Sequence, residues 1–196
     1  MSEGQGIRIV TVRGSVRPDN YTSMALDLVV DELRKHPEVS VTVFDPADMD
    51  LPPPGIERDT DDTKALQHAV SAATGVVLST PEYHGSFSSV IKLVIENMGF
   101  PSAMAGKPVV LLGVAAGRIG AIKSIEMLRG ICAHVGALPL PGSVSVAGVR
   151  SVFNEDGICT DEKVEGQVRG VGQALLAYIH NHICPKMTLE AMVREG

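Results

Sequence analysis

Short apolar runs alternate with longer amphipathic stretches along most of this chain, and that rhythm predicts its architecture. Ile7–Val12 is apolar enough to be a buried strand, and Met24–His36 follows as a helix with Met24, Leu28 and Val29 on one side. Val39–Phe44 alternates as a second strand, while Asp45–Asp62, with Pro52-Pro53-Pro54-Gly55 and several acids, reads as a surface loop. Lys64–Ala73 predicts a short helix and Gly75–Ser79 a third strand. Ser88–Met98 predicts another helix, capped by Ser88 or Ser89. Val109–Gly113 is the fourth strand, Ala121–Val135 a long helix, and Leu138–Val146 a last strand interrupted by Pro141-Gly142. Asp161–Ile183 closes the series as a helix weakened by Gly166, Gly170 and Gly172.

Five β–α units with near-continuous apolar strands imply an α/β fold in which a parallel sheet is covered by helices on both faces. The expected arrangement is a doubly wound five-stranded sheet in the order 2-1-3-4-5, whose crevice opens where strands one and three diverge. Three loops would then border a ligand: Gly14–Ser23, Thr80–Ser88 and Val114–Gly120. A length of 196 residues without repeat, linker or low-complexity block predicts one domain over residues 1–196.

The first of these loops, Gly14-Ser15-Val16-Arg17-Pro18-Asp19-Asn20-Tyr21-Thr22-Ser23, carries the most chemistry. It leads from a strand into a helix whose N-terminus has unpaired N–H groups and the positive end of a dipole. Ser15, Thr22 and Ser23 can donate to phosphate oxygens, and Arg17 offers a planar fork. The glycine spacing of a dinucleotide fingerprint and the Gly-Lys-Ser/Thr of a P-loop are both missing, so a monophosphate suits the loop best. A plain helix N-cap would place the same Ser and Thr residues here. The second loop, Thr80-Pro81-Glu82-Tyr83-His84-Gly85-Ser86, is stiffened by Pro81, allows close backbone approach at Gly85, and presents Tyr83 and His84 to a flat heterocycle. The third, Val114 to Gly120, offers small residues around Gly117 against which a planar group can lie; tight turn geometry explains its glycines equally well.

Composition narrows the function. A formal net charge of −6 leaves no basic stripe for nucleic acid. The longest apolar run, Val109 to Ala116, is too short to span a bilayer, and Met1–Gly6 lacks the apolar core of a signal peptide, so the chain is expected to be soluble and cytoplasmic. Cys132, Cys159 and Cys184 form neither a disulfide framework nor a metal pattern. Asp45, Asp48 and Asp50 lack calcium-loop spacing, and His180 and His182 do not share a helix face. Ser15 and Ser86 lack a hydrolase elbow, and no carboxylate pair forms a glycosidase dyad.

Gly14-Ser15-Val16-Arg17 with Asn20-Tyr21-Thr22-Ser23, then Thr80 to Ser86, then Gly117-Arg118-Ile119-Gly120, resemble the NAD(P)H-dependent FMN reductase family over about Ile7 to Pro141. The resemblance implies a flavodoxin-like fold and FMN as cofactor, with Ser15, Arg17, Asn20, Thr22 and Ser23 around its phosphate. Tyr21 lies within that motif, and Gly85 and Ser86 within the second. Pro81, Glu82, Tyr83 and His84 would border the ribityl chain and ring, with Gly117 facing the ring. His84 stands where relatives often have Asn, and Asn20 where they often have Ser. NADPH or NADH would deliver hydride to the flavin, and a small-molecule acceptor such as a quinone or free flavin would take the electrons from the same face in a ping-pong cycle. No catalytic acid or base is singled out, though His84 is a candidate proton donor. The competing reading is an electron carrier or redox sensor without a nicotinamide site; the low aromatic content, 4% with no Trp, argues for an open flavin face and an enzyme. The family also implies a homodimer or homotetramer. Ile91, Val94, Ile95 and Met98 form an apolar stripe that could serve that interface or the core.

Overall fold

The computed structural model describes residues 6–195. Strands β1 (Ile7–Val12), β2 (Val39–Phe44), β3 (Gly75–Pro81) and β4 (Pro108–Val114) are parallel neighbours in the order β2-β1-β3-β4. The fifth position is filled by two short pieces, β5 (Leu138–Pro139) and β6 (Val144–Val146), both paired with β4. Between them Leu140 to Ser143 stands opposite only Val110 and Leu111, so the Pro141-Gly142 interruption is a bulge of two extra residues within one strand position.

The sheet has helices on both faces because its central strands are apolar on both. All seven residues of β3 and of β4 are buried. Val77, Val110 and Leu112 join the core beneath α1 (Tyr21–Arg34) and α5 (Glu162–Tyr178). Val76, Leu78, Val109 and Leu111 point the other way, into the core shared with α2 (Asp61–Ala72), α3 (Ser89–Glu96) and α4 (Ile122–His134). That is the two-residue alternation of a strand, applied to both faces at once. Edge strand β2 alternates half-buried and exposed residues instead. The stripe Ile91, Val94, Ile95 and Met98 is buried in the second core, so it is packing within the chain and supplies no interface.

Several boundaries differ from the sequence expectations, two of the helix starts for a capping reason. Helix α1 begins at Tyr21 rather than Met24 because the Asn20 Oδ1 accepts from the Ser23 N–H at 2.8 Å, which draws Tyr21, Thr22 and Ser23 into its first turn. Helix α2 begins at Asp61, capped by Thr60, whose Oγ1 accepts from the Thr63 N–H at 3.1 Å; Asp61 and Asp62 then favour the positive end of the helix. The Asp45–Asp62 stretch also contains a 3₁₀ turn, Pro46–Asp48, capped by Asp45. The C-terminal helix continues beyond the expected Ile183: a π-helical segment Ile179–Ile183 links α5 to α6 (Cys184–Glu195). Pro185 cannot donate to the carbonyl of Asn181 and its ring crowds that carbonyl, and the wider turn lies directly before it.

The α1–α5 contact combines close packing with charge. A Cβ on Gly172 would lie 3.2 Å from Leu33 Cγ, so the helices approach there as closely as glycine allows. Beside it the buried Glu32 carboxylate accepts from Lys35 Nζ at 2.6 Å and from Gln173 Nε2 at 2.7 Å, with the Arg169 guanidinium at 3.5 Å. The Lys35 ammonium, then the Gln173 amide, hold the Glu32 carboxyl below its ordinary value of 4.5. A depressed folded-state value means that this stabilisation is present above the unfolded value and disappears as pH falls through the folded one. Urea melts of a Glu32→Gln variant should therefore show a deficit at pH 7 that narrows as the pH drops below about 4.5; a constant deficit would refute the linkage.

At the carboxyl ends of β1 and β3 the backbone leaves no room for a side chain. A Cβ on Gly14 would lie 1.9 Å from the Ser79 carbonyl oxygen. Ser79 Oγ donates to the Val12 carbonyl at 2.9 Å, and Ser88 Oγ donates to the Gly14 carbonyl at 2.5 Å while accepting from the Ile91 N–H at 3.1 Å as cap of α3. Gly14→Ala should destabilise the fold by roughly 3 kcal/mol or more, at the upper end of overpacking costs, because both partners are backbone and cannot rotate away. Thermal or urea unfolding checks this, and a loss under about 1 kcal/mol would mean that the strands separate freely.

Candidate active site

A cavity of about 300 Å³ opens at the carboxyl ends of β1, β3 and β4, where the strand order reverses. One wall is the first loop and the start of α1, with Ser15, Arg17, Pro18, Asp19, Asn20, Tyr21 and Thr22. A second is Pro81, Glu82 and Tyr83, and the remainder is Val114, Ala115 and Ala116 with Val149 and Arg150.

Each wall is held by contacts outside the cavity. Asn20 has both side-chain atoms engaged: Oδ1 caps α1, and Nδ2 donates to the Arg17 carbonyl at 2.7 Å. It is therefore the clasp of the loop. The Tyr21 and Thr22 amides open α1 and have no carbonyl within the helix to donate to. Ser15 is buried, and its Oγ accepts from the Arg17 N–H at 3.4 Å. The Arg17 guanidinium is exposed and forms no ion pair or hydrogen bond among the described residues. Neighbouring Arg13 is committed elsewhere, to Asp27 at 2.8 Å and Asp45 at 3.2 Å.

Ser23 is buried at 8% exposure, its Oγ has no partner among the described residues, and it borders an adjoining groove of about 650 Å³ that shares Ser15, Arg17, Pro18, Asp19 and Asn20 with the cavity. That groove is rich in acids, among them Asp19, Asp48, Glu155 and Asp156.

In the second loop Tyr83 and Ser86 exchange backbone hydrogen bonds at 2.9 and 3.0 Å around His84 and Gly85, whose φ angles are +52° and +75°. Two central residues with positive φ make this a type I′ turn, and histidine tolerates the left-handed region better than most side chains. The turn projects His84 to the surface, so His84, Gly85 and Ser86 stand outside the cavity wall while Tyr83, 41% exposed, forms its rim. The Glu82 carboxylate accepts from the Ser124 N–H at 3.1 Å and so caps α4, whose own N-cap position, Ala121, has no side chain able to do it. Gly117 is also off the cavity wall. Its carbonyl accepts from the Gly120 N–H at 3.2 Å and the Gly148 N–H at 3.0 Å, which ties the fourth-strand loop to the segment after β6.

Val149 and Arg150 went unseen in the sequence. They sit in a 3₁₀ turn, Val149–Ser151, anchored by Val149 N–H to the Ala115 carbonyl at 3.1 Å. No local pattern announces that placement, because it depends on β6 pairing beside β4. The alanines were visible, but as spacers of a loop whose glycine drew the attention.

The donor set fits a flavin mononucleotide. A free guanidinium and two unpaired helix amides suit a phosphate, and the small wall at Ala115-Ala116 facing Tyr83 leaves space for a flat ring. Among the described residues no group of His, Cys, Asp and Glu could hold a metal ion, and no helix is long and apolar enough to cross a membrane.

The chain is similar to known proteins over most of its length. The sequence pattern of NADPH-dependent FMN reductases matches residues 7–150. An NAD(P)H-dependent FMN reductase of Pseudomonas aeruginosa is 26% identical over 88% of this chain and 95% of its own. An NADPH azoreductase of a Bacillus species is 30% identical over 88% and 93%. Among solved structures, a flavoenzyme NAD(P)H:(acceptor) oxidoreductase of Paracoccus denitrificans superposes with a TM-score of 0.73 at 22% identity, over 90% of this chain and 98% of that one. The matched span includes the loop that carries Arg17 and the turn that carries Tyr83, and it ends on the Arg150 that completes the cavity. The chain belongs to the NADPH-dependent FMN reductase family, oxidoreductases with a flavodoxin-like fold that use FMN and a nicotinamide donor.

Proposed function

We propose that this protein passes electrons from NADPH or NADH to a small acceptor (a quinone, a free flavin or an azo compound) by admitting donor and acceptor in turn to one open cavity. The observation that carries this reading is the size and openness of the site: about 300 Å³, walled by short loops, with Tyr83 exposed at its rim. FMN, when bound, would supply hydride acceptance and electron transfer. The chain's own residues position and exclude. Arg17 and the Tyr21 and Thr22 amides would hold the phosphate, and Ser15, Asn20 and Ser23 shape the loop around it. Pro81 and Glu82 fix the second wall, and Tyr83 borders the face that both substrates share. His84, Gly85, Ser86 and Gly117 set the turns behind those walls. No catalytic acid or base is assigned, and His84, on the turn beside Tyr83, is the candidate proton donor.

The adjoining 650 Å³ groove is unsuited to the donor's phosphates, since its acids outnumber its arginines. Donor and acceptor therefore compete for one face. Initial rates measured over a grid of both concentrations should give parallel double-reciprocal lines, whereas intersecting lines would reveal a ternary complex and overturn this mechanism.

The protein is further proposed to act in the cytoplasm, where three thiols without a disulfide among the described residues are at home. Burial pushes the Cys132 thiol up to about 12, which keeps it inert at neutral pH. A homodimer or homotetramer is proposed as well. With the α3 stripe assigned to the core, exposed Phe100, Ile119, Ile122 and Met127 are among the large apolar side chains left to support it. Light scattering at micromolar concentration should return a multiple of 20.7 kDa, and a monomer mass would dismiss the assembly.

A further inference from the structure

We propose that Arg150 is a second phosphate ligand of the flavin site, acting together with Arg17. This rests on the reading of the cavity as the FMN site, and it assigns a role to a residue that the motifs of the first three loops do not touch.

A flavin phosphate carries close to two negative charges at neutral pH, while Arg17 and the N-terminus of α1 supply about one and a half positive ones, and Asp19 and Glu82 in the same wall offset part of that. Arg150 is the other guanidinium in the wall of the same cavity. Two arginines of the adjoining groove are neutralised: Arg13 by Asp27 and Asp45, Arg169 by Asp31 and Glu165. Arg150, by contrast, forms no ion pair or side-chain hydrogen bond among the described residues. A cation left unpaired in a cavity that already holds a second unpaired cation is an arrangement that a shared anion stabilises.

Placement supports the same conclusion. The turn that carries Arg150 is rigidly seated, with Gly148 at a φ of +57°, its N–H bonded to the Gly117 carbonyl, and Val149 buried. Three residues further on, the Phe153 ring lies 6.3 Å from the ring of Tyr21, the first residue of α1. That contact sets the segment against the helix turn whose free amides face the cavity. Arg150 and Arg17 thus line one cavity together with the start of α1, and two planar forks discriminate a phosphate from a hydroxyl more sharply than one.

Titrations of the apo-protein with FMN and with riboflavin, followed by flavin fluorescence quenching, test this without any turnover. Arg150→Ala should weaken FMN binding about tenfold, as expected for loss of a charge-assisted contact, and leave riboflavin binding unchanged. Arg150→Lys should recover part of the loss, since a point charge replaces a fork. Equal weakening of FMN and riboflavin would make Arg150 a structural prop, and unchanged FMN affinity would remove it from the site; either result overturns the proposal. A raised KM for NADPH with unchanged FMN affinity would assign the guanidinium to the donor and overturn it as well. Arg17→Ala, run in parallel, separates this proposal from the reading beneath it. If Arg17→Ala weakens FMN and Arg150→Ala does not, only the second ligand is lost. If neither does, the phosphate is not held here at all.

Discussion

The site depends on one close approach, where the backbone at Gly14 passes the Ser79 carbonyl with no space for a Cβ. Parallel strands β1 and β3 are neighbours along Ile9–Val12 and Gly75–Leu78, and their ends then divide toward different loops. Ser79 and Ser88 hold the point of division by donating to the Val12 and Gly14 carbonyls. Ser88 is at once the cap of α3, so the phosphate-side loop, the ring-side loop and a helix are locked together by two hydroxyls in a buried, low-dielectric setting. Hydrogen bonds there are costly to leave unmade, which makes the arrangement specific as well as stable.

Around that lock the chain sorts its charges. Arginines with a structural task are paired: Arg13 joins the end of β1 to α1 and to the residue after β2, and Arg169 ties α5 to α1. Arg17 and Arg150 are left free, and both line the cavity. The acids follow the same division. Glu82, in the cavity wall, caps the N-terminus of α4 through one of its oxygens. The result is a site with two guanidiniums and a helix N-terminus on its border and small apolar residues at Ala115-Ala116.

Much of the site loop chemistry was legible because it is local. Ser15, Arg17, Asn20, Tyr21 and Thr22 sit within eight positions of one another at a strand-to-helix turn, and Pro81 to Tyr83 follow the next ligand-bearing strand. What the local pattern did not show is the structural task of two of the loop residues: His84 is the corner of a turn, and Asn20 is the cap on which the first loop closes.

The sequence by itself determined the elements, their parallel order and the family, because period-two and period-3.6 patterns and short loop motifs are encoded within a few residues of each other. Helix starts shifted only where a capping side chain claimed one more turn, as at Asn20 and Thr60. What tertiary structure alone decided is which residues meet across the sheet. The π turn before Pro185, the burial of the Ile91–Met98 stripe, the capping of α4 by Glu82 and the arrival of Arg150 beside the cavity all join positions that are distant in sequence or depend on neighbouring elements. Such contacts follow from strand pairing and packing, which act between elements and leave no periodic trace within one.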